Sequence, residues 1–214
     1  MEEKVEKIFK AIKWYGHASF GVETEKIIYI DPWKMPATAP KADIILVTHS
    51  HFDHLSSKDI NYLKKDGTTI ICTKDCTSQL SGKIKVLLPG EEVDIEGIKV
   101  KAVHAYNPNK PFHPKKNEWV GYLIQVKGVT IYHSGDTDFI PEMKDFGKIH
   151  IALLPVGGKF TMSAEEAARA VGTIPADIFI PMHYGGEVIG TEEDAQRFKE
   201  LSKGEVRILK ETKI

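Results

Sequence analysis

Two cysteines in 214 residues, Cys72 and Cys76, are too few for a disulfide framework, and without a second pair they complete no zinc knuckle. They read as reduced thiols near a strand end, which points to a cytoplasmic protein. No apolar stretch reaches the length needed to span a bilayer. The opening Met1-Glu2-Glu3-Lys4-Val5-Glu6-Lys7 has mixed charge and lacks the apolar core of a signal peptide. A formal net charge of −1 gives no global electrostatic reason to expect a nucleic-acid or membrane partner. Low-complexity tracts, linkers and short-period repeats are also missing. What remains, 42% hydrophobic and 28% charged residues, suits a single domain over residues 1–214 with a substantial core.

Histidine is placed unevenly, and Thr48-His49-Ser50-His51-Phe52-Asp53-His54 organises the chain. It follows the apolar run Ile44-Ile45-Leu46-Val47, which is short and mostly β-branched and so reads as a buried strand. His49 and His51 are two residues apart; in extended chain both imidazoles leave the same side and can meet one ion. Asp53 and His54 come where the chain turns and can face a second ion. Each of these groups needs a partner if it is buried, and a shared metal supplies one for all of them.

Around this motif the pattern alternates strands with turns and helices. A hairpin is expected about Glu23-Thr24-Glu25-Lys26, with Asp31 ending its second strand before Pro32. Ser56-Ser57-Lys58-Asp59 opens a helix carrying Ile60 and Leu63, and Thr69–Cys72 follows as a parallel strand. A short helix near Asp75–Leu80 and a strand at Ile84–Leu88 come next. The middle third is strand-dense: Val93–Ile95, Ile98–Val103, Val120–Val126 and Val129–Tyr132. Strands are again expected at Ile149–Leu154, Ile178–Ile180 and Val206–Leu209, with helices from Ser163 to about Val171 and from Thr191. Two mixed sheets with helices outside accommodate this order.

Three further groups stand at strand exits: His104, Asp136 after a Ser-Gly turn, and His183 before Tyr184-Gly185-Gly186. In layered α/β folds such exits converge at one edge. The simplest arrangement gives one ion His49, His51 and His104, and the other Asp53, His54 and His183, with Asp136 bridging. All-N/O ligation suits Zn2+ or Mn2+, with Zn2+ placed first. A long loop runs from His104 to Val120 and carries Lys110, Lys115 and Lys116, which are either solvated or attract an anionic substrate. His17, between Gly16 and Ala18, is either a core hydrogen-bonder or a site residue, and His133 reads as structural.

The pattern Thr-His-x-His-x-Asp-His with a later Gly-Asp-Thr and His resembles the metallo-β-lactamase superfamily. Trp14-Tyr15-Gly16-His17-Ala18-Ser19-Phe20, Ile30-Asp31-Pro32-Trp33, Gly157-Gly158-Lys159-Phe160-Thr161-Met162 and Pro181-Met182-His183-Tyr184 are similar to its branch of small metal-dependent hydrolases that includes L-ascorbate-6-phosphate lactonase. The resemblance covers about residues 12–190. It implies an αββα sandwich of the α/β class, two divalent ions at one edge, and a substrate-contacting His17. The chain is shorter than the lactonase and lacks the membrane-contacting elements of the more distant N-acylphosphatidylethanolamine phospholipase D.

The expected chemistry is hydrolysis by a metal-bridged hydroxide, the two ions being about 3.5–4 Å apart, with Asp53 orienting the nucleophile or taking its proton. An ester or lactone of a small, anionic molecule is the first expectation. A phosphodiesterase or nuclease is the alternative enzyme, although no basic aromatic platform is evident. A metal-binding protein without turnover and a redox di-iron protein are the remaining readings. The sequence leaves room for a homo-oligomer.

Overall fold

The structure, a computed structural model, describes residues 1–185 and 188–212. Helix α1 (Glu2–Ala11) leads into β1 (Ile12–Trp14), β2 (Phe20–Glu23) and β3 (Ile27–Ile30). Then come β4 (Ile44–Val47), α2 (Ser57–Leu63), β5 (Thr69–Cys72) and β6 (Lys83–Val86), which complete a six-stranded sheet in the order β1-β2-β3-β4-β5-β6. The second sheet has seven strands: β7 (Glu92–Ile95), β8 (Ile98–His104), β9 (Val120–Val126), β10 (Val129–His133), β11 (Ile149–Pro155), β12 (Ala176–Met182) and β13 (Glu205–Val206), each beside its sequence neighbours. Helix α3 (Ala164–Val171) packs on β11 and α4 (Glu192–Leu201) on β12.

All four residues of β4 are buried, and their side chains alternate between two cores because both faces of the sheet are covered. Ile44 and Leu46 enter the large core shared by the two sheets, whereas Ile45 and Val47 join Ile60 and Leu63 of α2 on the outer face. That explains why the run reads as continuously apolar. Helices outside two face-to-face sheets give the four-layer sandwich that the resemblance implied.

Local chemistry sets the helix starts. The Ser56 side chain accepts the Asp59 amide to open α2. Ser163 with Glu166 and Thr191 with Asp194 form reciprocal capping boxes for α3 and α4, each such cap contributing about 1 kcal/mol. Three elements depart from the sequence reading. The charged N-terminus is helical because Val5 and Ile8, three apart, bury one face against the strands of both sheets. The expected Asp75–Leu80 helix is a tighter 3-10 turn over Lys74–Gln79, and the last strand stops at Val206.

Strand direction positions the site. β3, β4 and β5 run parallel, as do β10, β11 and β12. Asp31, the His49–His54 motif, Asp136 and His183 therefore all follow the carboxyl ends of parallel strands. The two sheets bring those ends to one rim. No helix among the described residues is long and apolar enough to cross a membrane.

Candidate metal centre

Two four-residue clusters form at that rim, the ligand atoms of each lying within 4.8 Å of one another. One is His49, His51, His113 and Asp136; the other is His17, Asp53, His54 and His183. Asp136 joins them. Its Oδ2 is 3.1 Å from His183 Nε2, 3.2 Å from His113 Nε2 and 3.9 Å from His49 Nε2, while its Oδ1 is 3.2 Å from His54 Nε2. A single carboxylate thus faces imidazoles of both clusters, as a bridging ligand must.

The backbone is shaped to deliver it. Gly135, just before Asp136, has φ +60°, and a Cβ there would stand 2.6 Å from the Val120 carbonyl oxygen. Gly157 lies against His183, where a Cβ would be 2.5 Å from the His183 carbonyl oxygen and 3.1 Å from its Nδ1. Asp31, His17 and His183 themselves adopt positive φ of 47°, 50° and 61°. Such conformations cost energy in non-glycine residues and mark places where side-chain direction is fixed by the surroundings.

A second layer of bonds orients the imidazoles. Asp31 accepts the Thr48 amide at 2.8 Å and the Thr48 hydroxyl at 2.7 Å, and its Oδ2 lies 2.7 Å from His54 Nδ1. His54 therefore donates through Nδ1 and points Nε2 inward. With its hydrogen committed to Asp31, the Thr48 hydroxyl is left to accept from His49 Nδ1 at 3.0 Å. Asn107 Oδ1 does the same for His113 Nδ1 at 2.9 Å. Trp119 packs against His49, His51 and His113 with ring centroids 4.7–5.5 Å apart, and its indole N–H is held by Asp75 at 2.8 Å.

These tautomers leave acceptors facing an acceptor. His54 Nε2, His113 Nε2 and Asp136 Oδ1 are buried and have no hydrogen-bond partner. Buried lone pairs opposed to a carboxylate require a cation between them. Burial opposes a proton on His54, yet Asp136 and Asp31 raise its pKa well above the usual value: the two carboxylates favour positive charge at this imidazole, the charge that a bound cation would supply in place of a proton. Burial holds His49 well below its ordinary value, with the neighbouring His54 adding to the effect, so His49 is a neutral, ligand-ready imidazole. His17 is pushed down to about 4 by burial, against its bond to Asp53. Asp53 falls to about 2 although burial opposes it, because His17 Nε2 sits 2.9 Å from its Oδ2. The donor set and its orphaned atoms fit divalent ions held through imidazole and carboxylate groups.

One expected ligand is placed elsewhere. His104 ends β8 opposite Val120, is only half-buried, and belongs to neither cluster; its ring lies 6.2 Å from Tyr106. The loop that begins there folds back, with the Asn107 amide donating to the His113 carbonyl at 2.8 Å and the His113 amide to Asn107 Oδ1 at 3.0 Å, so His113 lies in that cluster instead. A histidine between Phe112 and Pro114 in a long loop was the available signal. His51, Asp53, His54, Asp136 and His183 lie in the clusters with His49, and His17 lies in the cluster of Asp53, His54 and His183. Gly186, expected beside His183, is outside the described residues.

The loop lysines are placed differently from the anion-attracting expectation. Lys110 Nζ is bound to Asp138 at 2.7 Å, the Thr161 carbonyl at 2.6 Å and Glu166 at 3.3 Å. Lys115 pairs with Glu142 at 2.7 Å and lies over the Tyr106 ring. Both tie the loop down. Lys116 is exposed. His133 bonds the Ala18 carbonyl at 2.9 Å and is structural as expected, and both cysteines are buried free thiols.

Residues 11–183 match the family model of the Beta-lactamase superfamily domain. The chain belongs to the metallo-β-lactamase superfamily. A UPF0173 metal-dependent hydrolase of Thermococcus onnurineus is 34% identical, the alignment covering 93% of this chain and 96% of that protein. A candidate metal-dependent hydrolase from Parabacteroides distasonis, solved by crystallography, is 36% identical with a TM-score of 0.83 over 94% of this chain and 93% of that one. Igni18, a metallo hydrolase of Ignicoccus hospitalis, has the same fold at 24% identity and a TM-score of 0.77 over 94% of this chain and 95% of that one. The chain is accordingly a metal-dependent hydrolase of this superfamily.

Asp31 gives a direct check on the orienting layer. Asp31→Asn keeps the shape but weakens the hold on His54 Nδ1 and Thr48. Metal affinity should fall about 10–100-fold, the usual cost of losing such a partner. Chelator competition on the purified variant measures it, and unchanged affinity would remove Asp31 from the centre.

Proposed function

We propose that the chain hydrolyses an ester or lactone of a small molecule at a binuclear centre. Asp136, shared between the two clusters, carries this reading. His49, His51 and His113 would hold one ion and Asp53, His54, His183 and His17 the other, with Zn2+ placed ahead of Mn2+. Two such ions supply Lewis acidity and bring the pKa of water toward neutrality.

The protein residues divide the remaining work. Asp136 keeps the two clusters in register. Asp53 Oδ2 takes the proton of the attacking water and returns it to the departing alkoxide, while His17 Nε2, 2.9 Å away, orients that carboxylate. Water oxygen bonds to the carbonyl carbon, the C–O ester bond breaks, and the alcohol and acid leave. Trp119 and Asp75 hold the three-histidine cluster rigid, so its geometry does not relax during the reaction. The anionic preference drawn from Lys110, Lys115 and Lys116 has lost two of its three cations to ion pairs.

Elemental analysis of protein purified without chelator, followed by lactone, ester and phosphodiester panels with the ion found, tests this reading. About two equivalents per chain and ester or lactone turnover are expected. Turnover confined to phosphodiesters would establish the alternative enzyme, and failure to take up any metal would end both.

A further inference from the structure

The segments that carry the ligands turn their imidazoles inward and leave the adjacent aromatic rings at the surface. Phe52 lies between His51 and Asp53 and is 68% exposed. Trp33 meets it edge-on at 6.1 Å and also meets His17 at 5.4 Å. On the His113 side, half-buried Phe112 directly precedes the ligand and packs edge-on against Phe160 at 4.8 Å. Phe160 comes from the loop after β11, whose Gly157 lies against His183. Both aromatic pairs therefore border the two clusters that Asp136 joins. Lys34 lies over Trp33 at 4.4 Å and Lys159 over Phe160 at 5.1 Å, contacts that favour fixed ring positions.

One exposed ring, Phe52, and three half-buried ones beside a polar, charge-dense site leave apolar surface in water, which marks recognition rather than core packing. Two of the three loop cations that would have favoured a polyanion, Lys110 and Lys115, are meanwhile bound to Asp138, Glu166 and Glu142.

We propose that the Trp33–Phe52 and Phe112–Phe160 pairs grip the apolar body of the substrate, so that the chain acts on aryl or acyl esters and lactones in preference to sugar phosphates. This rests on the hydrolase reading above and adds the substrate class. The rings bury the hydrophobic part while the carbonyl end reaches Asp136 and its imidazoles.

Calorimetric binding of two carboxylates, 2-naphthoate and acetate, to the protein as purified tests the idea without turnover. The carboxylate is common to both probes, so any difference reports the body. 2-Naphthoate should bind at least tenfold more tightly. Phe52→Ala, at a residue with little packing to lose, should reduce that ratio, and Phe52→Ala with Phe160→Ala should bring it within threefold, with metal content unchanged. Equal binding by the wild-type protein, or a ratio that survives in the double variant, would overturn the proposal. If the double variant does not fold, Phe52→Ala alone decides: an undiminished ratio overturns the proposal. Ester hydrolysis with no preference for 2-naphthoate would leave the hydrolase reading standing, and 2-naphthoate preference without ester hydrolysis would leave the gripping surface standing.

Discussion

Asp136→Asn should lose metal from both clusters and reduce hydrolysis by about a thousandfold or more. The side chain is almost fully buried, and four imidazole nitrogens from the segments after β4 and β12 and from the His113 loop converge on its two oxygens within 3.9 Å. An amide of the same shape removes the negative charge and offers an N–H₂ to nitrogens that already have their protons on the far side. No other carboxylate among the described residues belongs to the His49 cluster. That cluster would be left with three imidazoles and no carboxylate, and the other would lose its link to it. Elemental analysis and hydrolysis rates should therefore fall together, whereas circular dichroism should still show the sandwich, because the shared core lies mainly between the sheets. A variant that keeps two equivalents and wild-type turnover would sink the bridging role of Asp136.

Much of this centre was legible because its ligands follow strands with strong local signals. Four apolar residues before His49, a Gly before Asp136 and an apolar run before His183 place each group at a strand exit, and parallel order then brings the exits together. The hairpin before Asp31 and the capped helices α2, α3 and α4 were readable for the same reason: capping and turn chemistry is local. The first helix was not, since only Val5 and Ile8 mark its buried face and its position depends on contacts with both sheets. Lys110 shows the same limit. Its partners Asp138, Thr161 and Glu166 lie 28 to 56 residues away, so its ion pairs belong to the tertiary structure. Asp31 was visible as a carboxylate at a strand end, but its bonds to Thr48 and His54 are produced by the parallel pairing of β3 with β4.

The sharpest difference between sequence and structure yields the second large effect. His113→Ala should cost about one metal equivalent and lower kcat/KM by about a hundredfold or more, while His104→Ala should keep both equivalents and stay within about threefold of wild type. His104 had the stronger sequence signal, as the first imidazole after a long strand. A strand end, however, fixes a side chain only as far as its ladder extends: the Ala105 amide still bonds the Trp119 carbonyl, which holds the backbone of His104 beside β9. Nine residues later the chain has returned. Asn107 fixes both the backbone and the ring of His113, and Trp119 packs on that ring at 5.5 Å. His113 Nε2 is then buried, unpartnered and 3.2 Å from Asp136, whereas His104 has no such contact. Measuring both variants beside the wild type separates a ligand from a neighbour, since general damage to the loop would lower stability without selectively removing one ion. Loss of metal in His104→Ala with retention in His113→Ala would reverse the assignment and require the loop to bind in a different register.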